Sequence, residues 1–210
     1  MTISSRKERQ KEELKASILE AARALFIARG YDETSIRNIA EKIDYSPTTI
    51  YLYFKDKDDI FYALHLEGFI ILNQYFRALQ NVADPFERLK AICKSYIRFS
   101  IENKEYYDLM FISRSPMQAL EDHKEKWEEG NRAFGALLGT VTECIELGYF
   151  KGMDAEILSF TCWSMVHGVC ALDIRGRCSV ISEENQKDIS NKSSEIIIQM
   201  LDRMHGKGIQ

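Results

Sequence analysis

Apolar residues recur along most of this chain at helical spacing. Leu14, Ile18, Ala21, Ala22, Leu25 and Phe26 fall on one stripe of a 3.6-residue repeat and predict an amphipathic helix that stops at Gly30. Thr34 or Ser35 can cap a second helix with apolar positions at Ile36, Ile39, Ala40 and Ile43. A two-residue turn, Asp44-Tyr45, leads to a third helix from Ser46. Further helices are expected near 57–80, 86–102, 105–114, 119–148, 154–177 and 186–205, and period-two strand patterning is scarce. The expected fold is all-α with about nine helices. A three-helix head, residues 1–56, is joined by a connecting helix, 57–80, to a larger helical body, 57–210.

The stretch "SPTTIYLYF", residues 46–54, carries the functional argument. Proline pushes the residue before it into extended geometry, which an N-cap residue needs. Pro47 at the first helical position loses no hydrogen bond, so Ser46-Pro47 starts a helix sharply, and Asp84-Pro85 repeats the device. Ile50 and Phe54, four apart, face the core; Tyr51 and Tyr53 lie on other faces. A helix of about eight residues is about 12 Å long and too short to stand alone, so it must be held by the second helix across the turn. A helix, a short turn and a short helix with a polar leading end make a helix-turn-helix, whose second helix enters the DNA major groove. Asp56 and Asp59 cap the next helix, and Lys57 at its first position adds positive charge.

Composition narrows the rest. The chain has 210 residues, 45% apolar and 29% charged, as in ordinary soluble proteins. No apolar run approaches the roughly 18 residues of a membrane helix, and "MTISSRKERQ" is no secretory signal, so a cytoplasmic location without membrane partners is expected. The five cysteines (93, 144, 162, 170, 178) never form a CxxC pair, and neither zinc, a disulfide framework nor a cofactor is expected. His65, His123, His167 and His205 are scattered, with no HExxH, GxSxG or P-loop, so the chain is not expected to be an enzyme. The net charge of −4 hides a split: residues 1–57 hold 11 Lys/Arg against 9 Asp/Glu, residues 58–210 hold 17 against 23. A weakly basic head on an acidic body suits local contact with DNA phosphates.

The run from Ile18 to Leu64, "ILEAARALFIARGYDETSIRNIAEKIDYSPTTIYLYFKDKDDIFYAL", resembles the DNA-binding domain of the TetR family of bacterial transcriptional regulators. The resemblance implies that Thr34 contacts phosphate, that Ser46, Pro47, Thr48, Thr49, Tyr51 and Tyr53 occupy recognition-helix positions, and that Lys57 is a phosphate-contacting lysine. Two positions depart from the family pattern: Asp44 and Thr48 stand where glycine is common, and Asp tolerates positive φ. In the body, "DPFERLKAICKSYIRFSIENKEYYDLMF" (84–111) and "WSMVHGVCALDIRGR" (163–177) resemble one C-terminal subgroup with a Trp-x-x-x-His-Gly signature. Family bodies hold a ligand cavity in each protomer and dimerise through the last two helices.

Three functions are therefore weighed: a ligand-responsive repressor that binds a palindromic operator as a homodimer, an enzyme, and an architectural DNA-binding or partner-binding helical protein without a small-molecule inducer. The aromatic-rich body favours the first. Tyr96, Phe99, Phe111, Trp163 and His167, mid-helix residues, are the expected ligand contacts, and their apolar character favours a hydrophobic or aromatic inducer. Ile189, Ile196, Ile197, Met200, Leu201 and Met204 form an apolar stripe on the last helix. They are the expected dimer contacts, giving with the preceding helix an isologous four-helix bundle.

Overall fold

Side-chain caps start several of the helices that the sequence predicts. The structure, a computed structural model, describes residues 3–113 and 128–204. Helix α1 (Ile3–Arg29) ends at Gly30, which takes φ 86°, the left-handed stop. Helix α2 (Ile36–Lys42) is capped by Ser35, which exchanges bonds with Asn38. Helix α3 (Pro47–Ile50) is capped by Ser46. Helix α4 (Lys57–Arg77) begins where Asp59 N donates to Asp56 and Lys55 N donates to Asp59. Helix α5 (Pro85–Glu102) is capped by Asp84. Helix α6 (Lys104–Tyr107) runs into a single π turn, Asp108–Ile112. Helices α7 (Glu128–Glu146) and α8 (Ala155–Ile174), a 3₁₀ turn (Arg177–Val180), and helices α9 (Glu183–Gln186) and α10 (Ile189–Met204) follow, and the described residues contain no strand. The expected helix over 186–205 is found as α10, starting at Ile189 because Asp188 at φ 61° separates it from the short α9. The expected helix over 119–148 is described only from Glu128, its first part lying outside the described residues.

The described chain divides into two compact units, residues 3–68 with 105–113 and residues 69–104 with 128–204. The first centres on Ile18, Ala22, Ile39, Ile50, Ile60, Phe61 and Leu64, all fully buried, joined by Leu109. It takes in more than the expected head of residues 1–56. The reason is surface: α2 and α3 are too short to bury one another, and Phe61, Leu64 and Leu109 supply the missing apolar area. Tyr31 fastens α1 to the start of α4. Its hydroxyl donates to Asp58, its carbonyl accepts from Lys57 Nζ at 2.7 Å, and the same ammonium lies 3.9 Å from its ring centroid.

At the other end of this unit the π turn lies close against α4. A Cβ at Gly68 would sit 2.3 Å from Met110 Sδ and 2.9 Å from Met110 Cγ, so glycine leaves the room that the Met110 side chain occupies, and a larger residue would have to displace it. One turn earlier, His65 is buried and hydrogen-bonded to the Met110 backbone; burial lowers its pKa to about 4.

In the second unit α5 packs against α7, α8 and α10, and α8 also packs against α7 and α10. Arg88 of α5 ties to Thr140 and Glu143 of α7 and to the Val82 carbonyl. Contrary to the expectation from apolar runs, α8 is long and apolar enough by length and composition to cross a membrane, with mean hydropathy 1.5, although only 28% of that stretch is buried in the chain. Its apolar character comes from having two apolar sides, one packed in this bundle and one left outward through Ile157, Phe160 and Leu172. Four of the five cysteines are buried, and burial raises the thiol pKa values of Cys93, Cys144 and Cys162, the latter two to about 11.

Folded His65 refuses a proton that the unfolded side chain accepts below about pH 6.5. Its depressed pKa therefore costs stability progressively from pH 6.5 down to about 4, and nothing above that window. Urea unfolding at pH 7 and pH 5 should show a loss of about 2 kcal/mol from this residue at the lower pH. His65→Phe should reduce the loss by that amount; an unchanged pH dependence would contradict the assignment.

Candidate nucleic-acid interface

Helix α2 ends at Lys42, and Asp44 reverses the chain at φ 58°, with Tyr45 N donating to the Ala40 carbonyl at 3.0 Å. The left-handed position thus falls on the aspartate that stands in for glycine. Ser46 then accepts from Thr49 N at 3.3 Å, and the Ser46 and Thr49 hydroxyls lie 3.0 Å apart. The α-helical part of the recognition segment is shorter than the expected eight residues. After Ile50 the chain tightens, with Leu52 N donating to the Thr49 carbonyl and Tyr53 N to the Ile50 carbonyl. The tightening returns Phe54 to the core, directly before the cap of α4.

The sidedness is sharp. Ile50 and Phe54 are buried; Pro47, Thr49 and Tyr53 are half-buried; Ser46, Thr48, Tyr51 and Leu52 are exposed. Thr48 and Leu52, four apart, are both exposed, as Ile50 and Phe54, also four apart, are both buried. Leu52, 76% exposed, escaped the sequence reading, which weighted the polar and aromatic positions; its spacing from Thr48 was the available signal. Arg37, Lys42 and Lys55 are exposed cations flanking this surface along the chain.

The two expected phosphate contacts, Thr34 and Lys57, each make a contact within the chain. Thr34 is 2% exposed and its hydroxyl donates to the Gly30 carbonyl at 2.8 Å, so it closes α1 and does not face outward. Ser35 is the exposed hydroxyl at the start of α2. Lys57 is engaged with Tyr31; burial lowers its pKa, while Asp32 and Glu33 oppose that shift.

Of the five expected ligand contacts, three meet in the second unit. Trp163 Nε1 donates to the Tyr96 hydroxyl at 3.1 Å, and that oxygen lies 3.0 Å from His167 Nδ1. Burial lowers the pKa of His167, which favours the neutral imidazole in this cluster. Phe134 and Phe160 pack against Trp163, with ring centroids 6.3 and 5.9 Å away. Phe99 is fully buried, with its ring against Tyr75, and Phe111 belongs to the first unit, beside Tyr107. A separate cleft of about 310 Å³ between α5 and α10 is lined by Lys94 and Arg98, each paired to a glutamate, Glu195 and Glu102. Among the described residues no group of three metal-ligating side chains comes together.

The expected dimer stripe divides in two. Ile197 and Leu201, 6% and 2% exposed, face this chain's own bundle, whereas Ile196 and Met200, 55% and 47% exposed, face out. Ile189 and Met204 are half-buried. Helical spacing alone does not tell the inner edge of a broad apolar stripe from the outer one.

Comparison with known proteins adds three results. Residues 18–64 match the family described as "Bacterial regulatory proteins, tetR family", and residues 89–208 match "Tetracyclin repressor-like, C-terminal domain". The chain is 26% identical over 161 residues to the HTH-type transcriptional regulator HbdR of Aromatoleum sp. (strain CIB), covering 74% of this chain and 68% of that protein. It is also 26% identical over 102 residues to the transposon Tn10 TetC protein of Escherichia coli, covering 47% of this chain and about half, 52%, of that relative. Its fold is that of the transcriptional regulator FadR from Bacillus subtilis, solved in complex with stearoyl-CoA: TM-score 0.70, 18% identity, covering 87% of this chain and 97% of that one.

Thr34→Val should cost about 1 kcal/mol of stability, by leaving the Gly30 carbonyl without its side-chain donor, and should not alter DNA affinity. Thermal unfolding and fluorescence anisotropy on labelled duplex DNA read the two effects separately. Weaker DNA binding at unchanged stability would restore the phosphate role.

Proposed function

The chain belongs to the tetR family of bacterial regulatory proteins, and on that premise we propose that it is a cytoplasmic, ligand-responsive transcriptional repressor that binds a palindromic operator as a homodimer. The observation that carries the reading is the one-sided recognition segment: a Ser46-capped turn anchored by Ile50 and Phe54 that presents Thr48, Tyr51 and Leu52 to solvent. A fold needs no such exposed edge for its own stability, and a major groove is shaped to receive it.

The outward faces of α8 and α10 support the dimer. Ile157, Phe160 and Leu172 on one helix and Ile196 and Met200 on the other are large apolar side chains left uncovered by this chain. A second copy presenting the same two helices buries them in an isologous four-helix interface. Two heads then contact one face of the duplex about one helical turn, roughly 34–36 Å, apart.

The cluster of Trp163, Tyr96 and His167 supports the ligand reading. It sets polar atoms among aromatic rings, as sites for largely apolar small molecules do. Hydrophobic or aromatic molecules are the proposed inducers, and long-chain acyl-CoA thioesters belong in the screen because the B. subtilis neighbour was solved with stearoyl-CoA. Release requires only that the ligand bind the form with displaced heads better; each 1.4 kcal/mol of preference shifts the equilibrium about tenfold.

The deciding experiment selects duplexes from a random pool with the intact protein and measures their affinity with and without candidate inducers. Selective binding that falls steeply with salt is expected, with loss on adding the right molecule. Failure to enrich any duplex would refute the DNA-binding role. Enriched duplexes that no apolar ligand releases would favour an architectural role instead.

The interface assignment yields its own contrast. Ile196→Glu with Met200→Glu should give folded monomers by light scattering and circular dichroism, with much weaker DNA binding because one head is lost. Ile197→Glu should instead lower the melting temperature, since it buries a charge in the chain's own bundle. Dimers that survive the first pair of changes would overturn the interface.

A further inference from the structure

We infer that this protein reads its DNA site chiefly through the methyl groups of thymines, with Leu52 beside Thr48 and Tyr51 as the specificity-determining contact. The inference rests on the DNA-binding reading above and names the chemistry that the same surface recognises.

Residues 46–54 contain no Arg, Lys, Asn or Gln. Those are the side chains that make bidentate hydrogen bonds to guanine or adenine in the major groove. The hydroxyls of Ser46 and Thr49 are turned toward one another, with Ser46 also holding Thr49 N, so the capping geometry uses the polar groups that start the segment. What remains facing outward is apolar or partly so: the Thr48 side chain with its methyl, the Tyr51 ring, 56% exposed, and the isobutyl group of Leu52, 76% exposed.

Leu52 has no role in the fold that would account for it. The core side of the segment is supplied by Ile50 and Phe54, and Leu52, like Thr48, is exposed away from it. A surface of this chemistry needs an apolar partner. Among the base edges exposed in the major groove the thymine C5-methyl is the largest apolar group; cytosine presents only a C5–H there, and guanine and adenine are marked by hydrogen-bond donors and acceptors. Arg37, Lys42 and Lys55, exposed on either side, supply charge for phosphates, which sets position without reading sequence.

The test uses the intact protein and a duplex enriched from a random pool. Each thymine of the enriched site is replaced in turn by uracil, which removes the methyl and leaves pairing intact. Loss of one contacted methyl should weaken binding roughly fourfold, and two or more should act together. Leu52→Ala should keep the wild-type melting temperature and erase the thymine-to-uracil difference at one position in each half-site. Uracil duplexes bound as tightly as thymine duplexes would overturn the inference alone. So would a guanine-led site whose selectivity disappears in Arg37→Ala. Failure to enrich any site would overturn the DNA-binding reading and this inference with it.

Discussion

One turn of helix has no stability of its own, and Pro47–Ile50 is little more than that. Its position is set by two side chains, Ile50 and Phe54, sunk into a core that α1, α2, α4 and Leu109 build together. Everything else in the first unit serves that anchoring. Ser46 fixes where the turn begins, Asp44 turns the chain into it at positive φ, and Asp56 with Asp59 restarts the helix beyond it. Tyr31 then fastens the restarted helix to the end of α1 through three separate contacts. The short element is rigid because its neighbours over-determine it, and this leaves its outer side free to be selected for contact alone.

The second unit solves a different problem. Helices α5, α7, α8 and α10 form a bundle whose interior is mostly apolar, yet it holds a hydrogen-bonded knot of Trp163, Tyr96 and His167. Polar groups in such surroundings are costly unless each finds a partner, and the same need makes them discriminating toward a polar atom on a molecule that joins them. The outward sides of α8 and α10 meet no such requirement: they are apolar and uncovered. The bundle thus combines a satisfied interior with an apolar exterior that this chain leaves uncovered, the surface on which the proposed dimer rests.

The helices were legible wherever a local signal set them. Gly30, Ser46-Pro47, Asp84-Pro85 and the stripe of α1 all act within a turn or two of sequence, and each lies where the pattern puts it. What the sequence hid was sidedness set by distant partners. Thr34 reads like a helix start, but its hydroxyl closes the preceding helix. Ile196 and Ile197 are chemically identical neighbours, and only the packing of α10 on α5 and α8 decides that one is buried. Phe111 lies mid-segment on the chain but belongs to the first unit, because the chain returns there at Glu105. Leu52 was overlooked because an exposed leucine has no local signature; its exposure is a property of the core it fails to join.

The cysteines carry a practical consequence. Four are enclosed and the thiolate form is further suppressed at Cys93, Cys144 and Cys162, whereas Cys178, in the 3₁₀ turn Arg177–Val180 that follows α8, is only half-buried. The native chain therefore holds a built-in attachment point. A maleimide dye or nitroxide added to the folded protein marks one residue per chain, just beyond the C-terminal end of the helix that bears Trp163 and His167. In the proposed dimer, the spectroscopic distance between two such labels reports on the pairing without any engineered thiol.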